Sequence, residues 1–169
     1  MGNAEQLEGV LDEAIQTARS LSHSLSPPFL DGEDLEDLLR WVAERQRMRY
    51  GLEVEVEVGA GVPVPEASLR VILYQAVREL LFNVAKHAGV ERARLVATRT
   101  DHHVRLAVED EGAGFDPAEL EEPSNVGLGL PSVRKRLEVM GGTVEVSSSP
   151  GEGTRVTITV PVGEEAADE

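Results

Sequence analysis

Cysteine is absent from all 169 residues. Without it there is no disulfide framework, no thiolate metal site and no cysteine nucleophile, and nothing points to an oxidising compartment. A cytoplasmic location is the expectation. The start, Met1-Gly2-Asn3-Ala4-Glu5, lacks a basic region followed by an apolar stretch, and no apolar run approaches membrane-spanning length. Membrane contact by this chain is therefore not expected. Cations are scarce as well: 16 Lys plus Arg stand against 31 Asp plus Glu, for a formal net charge of -15. That balance argues against binding to nucleic acid or anionic lipid, both of which need clustered positive charge. Aromatics make up only 4% of the chain, yet 41% is hydrophobic, enough for the core of one domain.

Several catalytic signatures are missing too. There is no Gly-x-x-x-x-Gly-Lys-[Ser/Thr] phosphate loop and no glycine fingerprint behind the first strand. No serine elbow occurs, and the four histidines have no metal-binding spacing.

What is present reads as alternating blocks. Leu7, Leu11, Ala14, Ala18, Leu21 and Leu25 step by four and three, the heptad spacing of a helix with a narrow seam, which Ser26-Pro27-Pro28 stops. The seam needs a partner, either the rest of the chain or a second copy, so homodimerisation through 7–25 is one expectation. Asp31 or Asp34 is placed to cap a second helix carrying Leu35, Leu38, Leu39 and Val42 and ending near Tyr50-Gly51. Leu52 to Val58 alternates as a strand with one acidic face. The spacing of Leu69, Leu73, Val77, Leu80 and Val84 predicts a long helix over 66–87. Strands at 93–98 and 103–110 follow, turning at Asp101-His102. The polar stretch from Asp116 to Asn125 is expected to be a mobile loop. Pro131 opens a helix with Val133, Leu137 and Met140 on one face and Gly141-Gly142 past its end. Strands at 143–147 and 154–160 form a hairpin around Ser149 to Gly153. The predicted class is α+β, a two-layer sandwich in which a mixed sheet is covered by helices on one face. Three regions are expected: 1–30 as a partial bundle helix, 31–163 as the main domain, and 164–169 as a disordered acidic tail.

Polar residues cluster at four places. On the long helix, Glu79, Asn83, Lys86 and His87 share a stripe roughly 100° wide beside the apolar face. Glu79 and Asn83 lie one turn apart and offer hard oxygen ligands suited to Mg²⁺, although such a stripe is also what any solvated helix edge shows. Asp110 falls in the inward register of Val104, Leu106 and Val108, and Gly112 and Gly114 follow it. A carboxylate there needs a donor, either local amides of a turn or a planar amino group in a pocket. Gly127-Leu128-Gly129-Leu130-Pro131 enters a helix bearing Arg134, Lys135 and Arg136, where free amides and cations would suit phosphate or form only a loop. Thr154 shares the inward parity of Val156, Ile158 and Val160.

In order, Glu79-Leu80-Leu81-Phe82-Asn83-Val84-Ala85-Lys86-His87-Ala88, Asp110-Glu111-Gly112-Ala113-Gly114-Phe115, Gly127-Leu128-Gly129-Leu130 and Gly151-Glu152-Gly153-Thr154 resemble the asparagine box and glycine boxes of the GHKL ATPase and kinase superfamily. The Lys86-His87-Ala88 ending and the run Gly129-Leu130-Pro131-Ser132-Val133-Arg134 resemble in particular sensor histidine kinases of the nitrate-sensor and desaturase-regulator type. Residues 18–27 resemble the end of the second helix of that family's dimerisation and phosphotransfer bundle. The resemblance implies a Bergerat-type ATP-binding fold and the cofactors ATP and Mg²⁺. It implies that Asn83 holds the metal and that Glu79 sits near the metal's water or activates the phosphoacceptor. Lys86 and His87 would approach the phosphates, and Asp110 would bind the adenine amino group. Gly112 and Gly114 would shape that pocket, Gly127, Gly129 and Leu130 would belong to the ATP lid, and Thr154 would support the adenine side. Implied partners are a histidine-bearing bundle, in the parent protein or in trans, and a downstream response regulator.

One departure stands out. The family's phosphoacceptor histidine lies on the first bundle helix, and His23, the sole histidine of this region, sits late in its helix before Pro27-Pro28. The isolated chain is thus expected to phosphorylate a histidine elsewhere and not itself. The rival classes are an ATP-hydrolysing switch of the gyrase and Hsp90 kind, an anti-sigma-type serine kinase, and a binding module without nucleotide.

Overall fold

The computed structural model describes residues 34–63, 66–100, 102–118 and 130–162. The heptad segment before residue 34, the stretch 119–129 with Gly127 and Gly129, and the acidic tail lie outside the described residues.

Helix α1, Leu35–Tyr50, starts at Asp34, whose side chain accepts from the Glu36 amide at 2.8 Å. An N-cap of this kind stabilises a helix by about 1 kcal/mol. Of the two aspartates expected as caps, Asp34 takes the role. Gly51 ends the helix in the left-handed region at φ 72°, donating its amide to the Arg47 carbonyl. Strand β1, Glu53–Val58, follows at once. Helix α2, Ala67–Asn83, buries Leu69, Leu73, Ala76, Val77, Leu80 and Leu81. The regular helix expected to run to His87 instead loosens into a π-helical turn at Val84–Ala88, which Gly89 closes at φ 70°. Single π turns inside helices are frequent at functional sites.

Strands β2, Arg92–Thr100, and β3, His103–Asp110, then form an antiparallel pair. Helix α3, Leu130–Val139, leads into the hairpin of β4, Thr143–Ser148, and β5, Thr154–Pro161. The five strands run in the order β1-β2-β3-β5-β4, with β1 parallel to β2 and all other pairs antiparallel. The sheet is mixed and its helices cover one face, as the alternation of blocks predicted.

Strand register explains where the core stops and the site begins. On the inner face Val56, Leu95, Val108, Val156 and Val146 form one row across the sheet, and Val58, Ala97, Leu106, Ile158 and Val144 form the next. These rows pack against α2 and α3, where Leu73, Leu81 and Leu137 are fully buried. Burial of each such side chain is worth about 1.5–3 kcal/mol. One row further, Asp110 pairs with Thr154 and Thr154 with Ser148, so the same inward face turns polar at one end of the sheet. The outer face alternates in sign along its row: Glu55 opposite Arg94, Arg94 opposite Glu109, Glu109 opposite Arg155.

Candidate nucleotide site

The polar end of the inner sheet face meets the end of α2. Asp110, the last residue of β3, is half-buried, and its Oδ1 accepts the Gly112 amide at 2.9 Å. Burial pushes its carboxyl up from the ordinary range, opposed by the backbone amides of Gly112 and Thr154. The local turn read as one alternative from the sequence is therefore formed. It does not exhaust the carboxylate, which offers about four lone-pair sites. An amino group can still be accepted here, so the residue present fits an adenine.

Gly112 is buried, and a Cβ there would lie 2.3 Å from the carbonyl oxygen of Ala88, so only glycine fits this approach. The adjacent Ala113 amide donates to that same oxygen at 2.8 Å. This bond ties the loop after β3 to the π turn that follows the asparagine-bearing helix. Gly114 has φ 58°, and a Cβ on it would fall 1.9 Å from the Ser149 carbonyl oxygen. Gly153 is positive in φ as well and presses on the Asp110 backbone, while the Gly151 amide reaches the Ala113 carbonyl. The loop after β3 is thus clamped between the α2 end and the β4–β5 turn.

Ser148 is the residue that the sequence reading missed. Its hydroxyl accepts the Phe115 amide at 2.9 Å, reaches the Gly153 carbonyl at 2.9 Å, and lies 3.0 Å from the Thr154 hydroxyl. Thr154 is half-buried beside Asp110, as its parity predicted.

On α2, Glu79 and Asn83 are half-buried one turn apart, while Lys86 and His87 on the π turn are exposed. Lys86 Nζ lies 5.8 Å from the centre of the Phe82 ring. Two oxygen ligands from the protein suffice for Mg²⁺, which keeps waters and takes phosphate oxygens for the remainder. No cluster of three or more His, Cys, Asp or Glu able to hold a metal occurs among the described residues. Leu130 opens α3 and is half-buried; Arg134 and Lys135 are exposed, and Arg136 bonds Gln75 of α2.

A cavity of about 940 Å³ opens on the outer side of the sheet, lined by Glu55, Arg94, Glu109, Ser147 and Arg155. It shares Asp110 and Thr154 at its rim but contains neither Glu79 nor Asn83. Its arginines are engaged, Arg94 with Glu57 and Arg155 with Glu109.

Comparison with known proteins places the fold. Residues 68–164 match the family described as histidine kinase-, DNA gyrase B-, and HSP90-like ATPase. The chain is 29% identical over 160 residues to the oxygen sensor histidine kinase NreB of Staphylococcus carnosus. That match covers 95% of this chain and 46% of the relative, so the chain spans about half of its length. Among solved structures, the mycobacterial sensor histidine kinase MprB is similar at 27% identity and a TM-score of 0.61, covering 76% of this chain and 95% of that one. Full-length ShkA in complex with AMPPNP matches at 28% identity and a TM-score of 0.67, over 79% of this chain and 31% of that one. The chain belongs to this ATPase family, as an ATP-binding catalytic domain of the sensor histidine kinase type.

Proposed function

We propose that this domain binds Mg-ATP in the cleft between the α2 end and the polar row of the sheet, and transfers the γ-phosphoryl group to a histidine on a bundle supplied by the parent protein or in trans. The observation that carries this reading is the half-buried Asp110 carboxylate, held by the Gly112 amide at the floor of that cleft and opposite Thr154. ShkA, whose structure holds the ATP analogue AMPPNP, supports it.

In this reading Asp110 accepts from the adenine amino group and Thr154 supports the same side. Gly112 and Gly114 keep the loop close to its neighbours so that the pocket stays open. The Asn83 amide oxygen would hold Mg²⁺, with Glu79 near it, and the metal would neutralise charge on the phosphates. Lys86 and His87 would add positive charge beside them, Gly127 and Gly129 would hinge the lid, and Leu130 would meet the nucleotide next to it. An imidazole nitrogen of the acceptor attacks the γ-phosphorus, the bridging bond to ADP breaks, and Glu79 is the carboxylate at hand for the imidazole proton. Catalysis of this kind is positioning and electrostatics. The phosphohistidine then serves a response regulator. No helix among the described residues is long and apolar enough to cross a membrane.

The test is phosphotransfer from labelled ATP to a supplied histidine bundle, with Asn83→Ala beside the unchanged chain. Acid-labile label that vanishes in the variant is expected. Acid-stable label on the partner, or steady phosphate release without any acceptor, would overturn the reading.

A further inference from the structure

The hydroxyl hydrogens around Ser148 can be placed by elimination. The Gly153 carbonyl oxygen, 2.9 Å from Ser148 Oγ, has no hydrogen to give, so the single Ser148 hydrogen points there. The Phe115 amide, also at 2.9 Å, donates into one Ser148 lone pair. The Thr154 hydroxyl, at 3.0 Å, meets the other. Ser148 has no second hydrogen to offer, so Thr154 is the donor of that pair. The Thr154 hydrogen is thus held inside the protein, while the lone pairs on its Oγ1 stay available. Ser148 turns a hydroxyl that either gives or takes into one that only takes.

The neighbour of Thr154 has the same polarity. Asp110 and Thr154 are partners in the β3–β5 register, and Thr154 and Ser148 in the β4–β5 register, so the three side chains share one face. The half-buried Asp110 carboxylate takes the Gly112 amide on Oδ1 and, when ionised, has only acceptors to offer. Two cross-strand neighbours therefore present lone pairs, and no side-chain hydrogen, to a ligand that enters between them. An amino group with two hydrogens matches this pair. A carbonyl oxygen does not.

The carboxylate alone does not make that choice. A 6-oxopurine carries a hydrogen on N1 and can donate it to Asp110, which sets O6, on the adjoining ring carbon, toward the next side chain. A freely rotating Thr154 hydroxyl would turn its hydrogen to that oxygen. With the hydrogen held by Ser148, oxygen faces oxygen.

We infer that Ser148 is a positioning residue for base selection: by holding the Thr154 hydrogen it keeps the floor of the cleft free of side-chain donors, and so favours 6-aminopurine over 6-oxopurine nucleotides. The inference rests on the nucleotide reading of the cleft and adds to it a residue that acts on the base through Thr154.

Calorimetric titration of the full chain with ATP and with ITP, which has oxygen in place of the 6-amino group and a hydrogen on N1, reads the selection as a ratio of affinities. A preference for ATP of at least ~tenfold is expected, the usual consequence of opposing a polar group with nothing it can bond. Ser148→Ala frees Thr154 to donate to O6 and should lower that ratio at least ~fivefold. Ser148→Thr keeps the hydroxyl and should keep the ratio. A purely structural role for Ser148 would weaken ATP and ITP alike and leave the ratio where it was. In a Thr154→Val background, where no hydroxyl is left to orient, Ser148→Ala should no longer change it. A ratio near one in the unchanged chain, or a ratio that Ser148→Ala leaves intact, would overturn the inference while ATP binding kept the nucleotide reading standing. Binding of neither nucleotide would overturn both.

Discussion

A Cβ on Gly112 would stand 2.3 Å from the carbonyl oxygen of Ala88, so the loop after β3 and the π turn after α2 touch backbone to backbone. The Ala113 amide bonds the same Ala88 oxygen, which holds the two segments at that separation.

Gly112→Ala is therefore expected to destabilise the domain by about 1–3 kcal/mol, the usual cost of forcing a methyl group into a filled site. The obstacle is backbone and cannot swing away. Urea unfolding with an unchanged slope and a lower midpoint is the predicted result.

Asp110→Asn separates folding from binding. Burial raises the Asp110 pKa above its reference of 3.8, so the folded state holds the proton more tightly than the unfolded chain does. Its contribution to stability is then complete below pH 3.8 and lost as pH rises through the raised value. The asparagine variant lacks that loss. Its stability relative to the unchanged chain should increase as pH climbs from that reference value toward neutrality, while its nucleotide affinity falls by about 1.5–3 kcal/mol. Thermal unfolding across the pH series, beside nucleotide titration, checks both signs.

Ser148→Ala removes the acceptor of the Phe115 amide and the neighbour of the Gly153 carbonyl and Thr154 hydroxyl. A loss of about 1–3 kcal/mol is expected, because partly buried partners are left unsatisfied. Ser148→Thr keeps the hydroxyl and should recover most of it in the same unfolding measurement.

Asn83→Ala should erase the gain in nucleotide affinity that Mg²⁺ confers while leaving metal-free ADP binding nearly unchanged. Titration with EDTA and then with Mg²⁺ distinguishes this from general damage to the pocket.

The inward phase of Asp110 was legible because Val104, Leu106 and Val108 set a period of two that ends on it, and the same parity placed Thr154. Ser148 was not, since Ser147-Ser148-Ser149 carries no apolar phase and β4 was expected to stop one residue short of it. The π turn is equally hidden: Val84 to Ala88 keeps the composition of an ordinary helix, and the wider winding shows only in the folded backbone. Gly112 and Gly114 were read as pocket-shaping, and the contacts that require glycine are with Ala88 and Ser149, distant in sequence and invisible to local spacing. Gly51 as stop and the helix-covered mixed sheet follow from local signals, while the choice of Asp34 over Asp31 as cap comes from the structure.

Calorimetric titration of the full chain with ATP and ADP, with and without Mg²⁺ and beside Asp110→Asn, tests the nucleotide site most directly. Micromolar to submillimolar binding that the variant loses is the predicted result. Absence of binding by the unchanged chain, or equal affinity in the Asp110→Asn variant, would contradict the placement of adenine against Asp110.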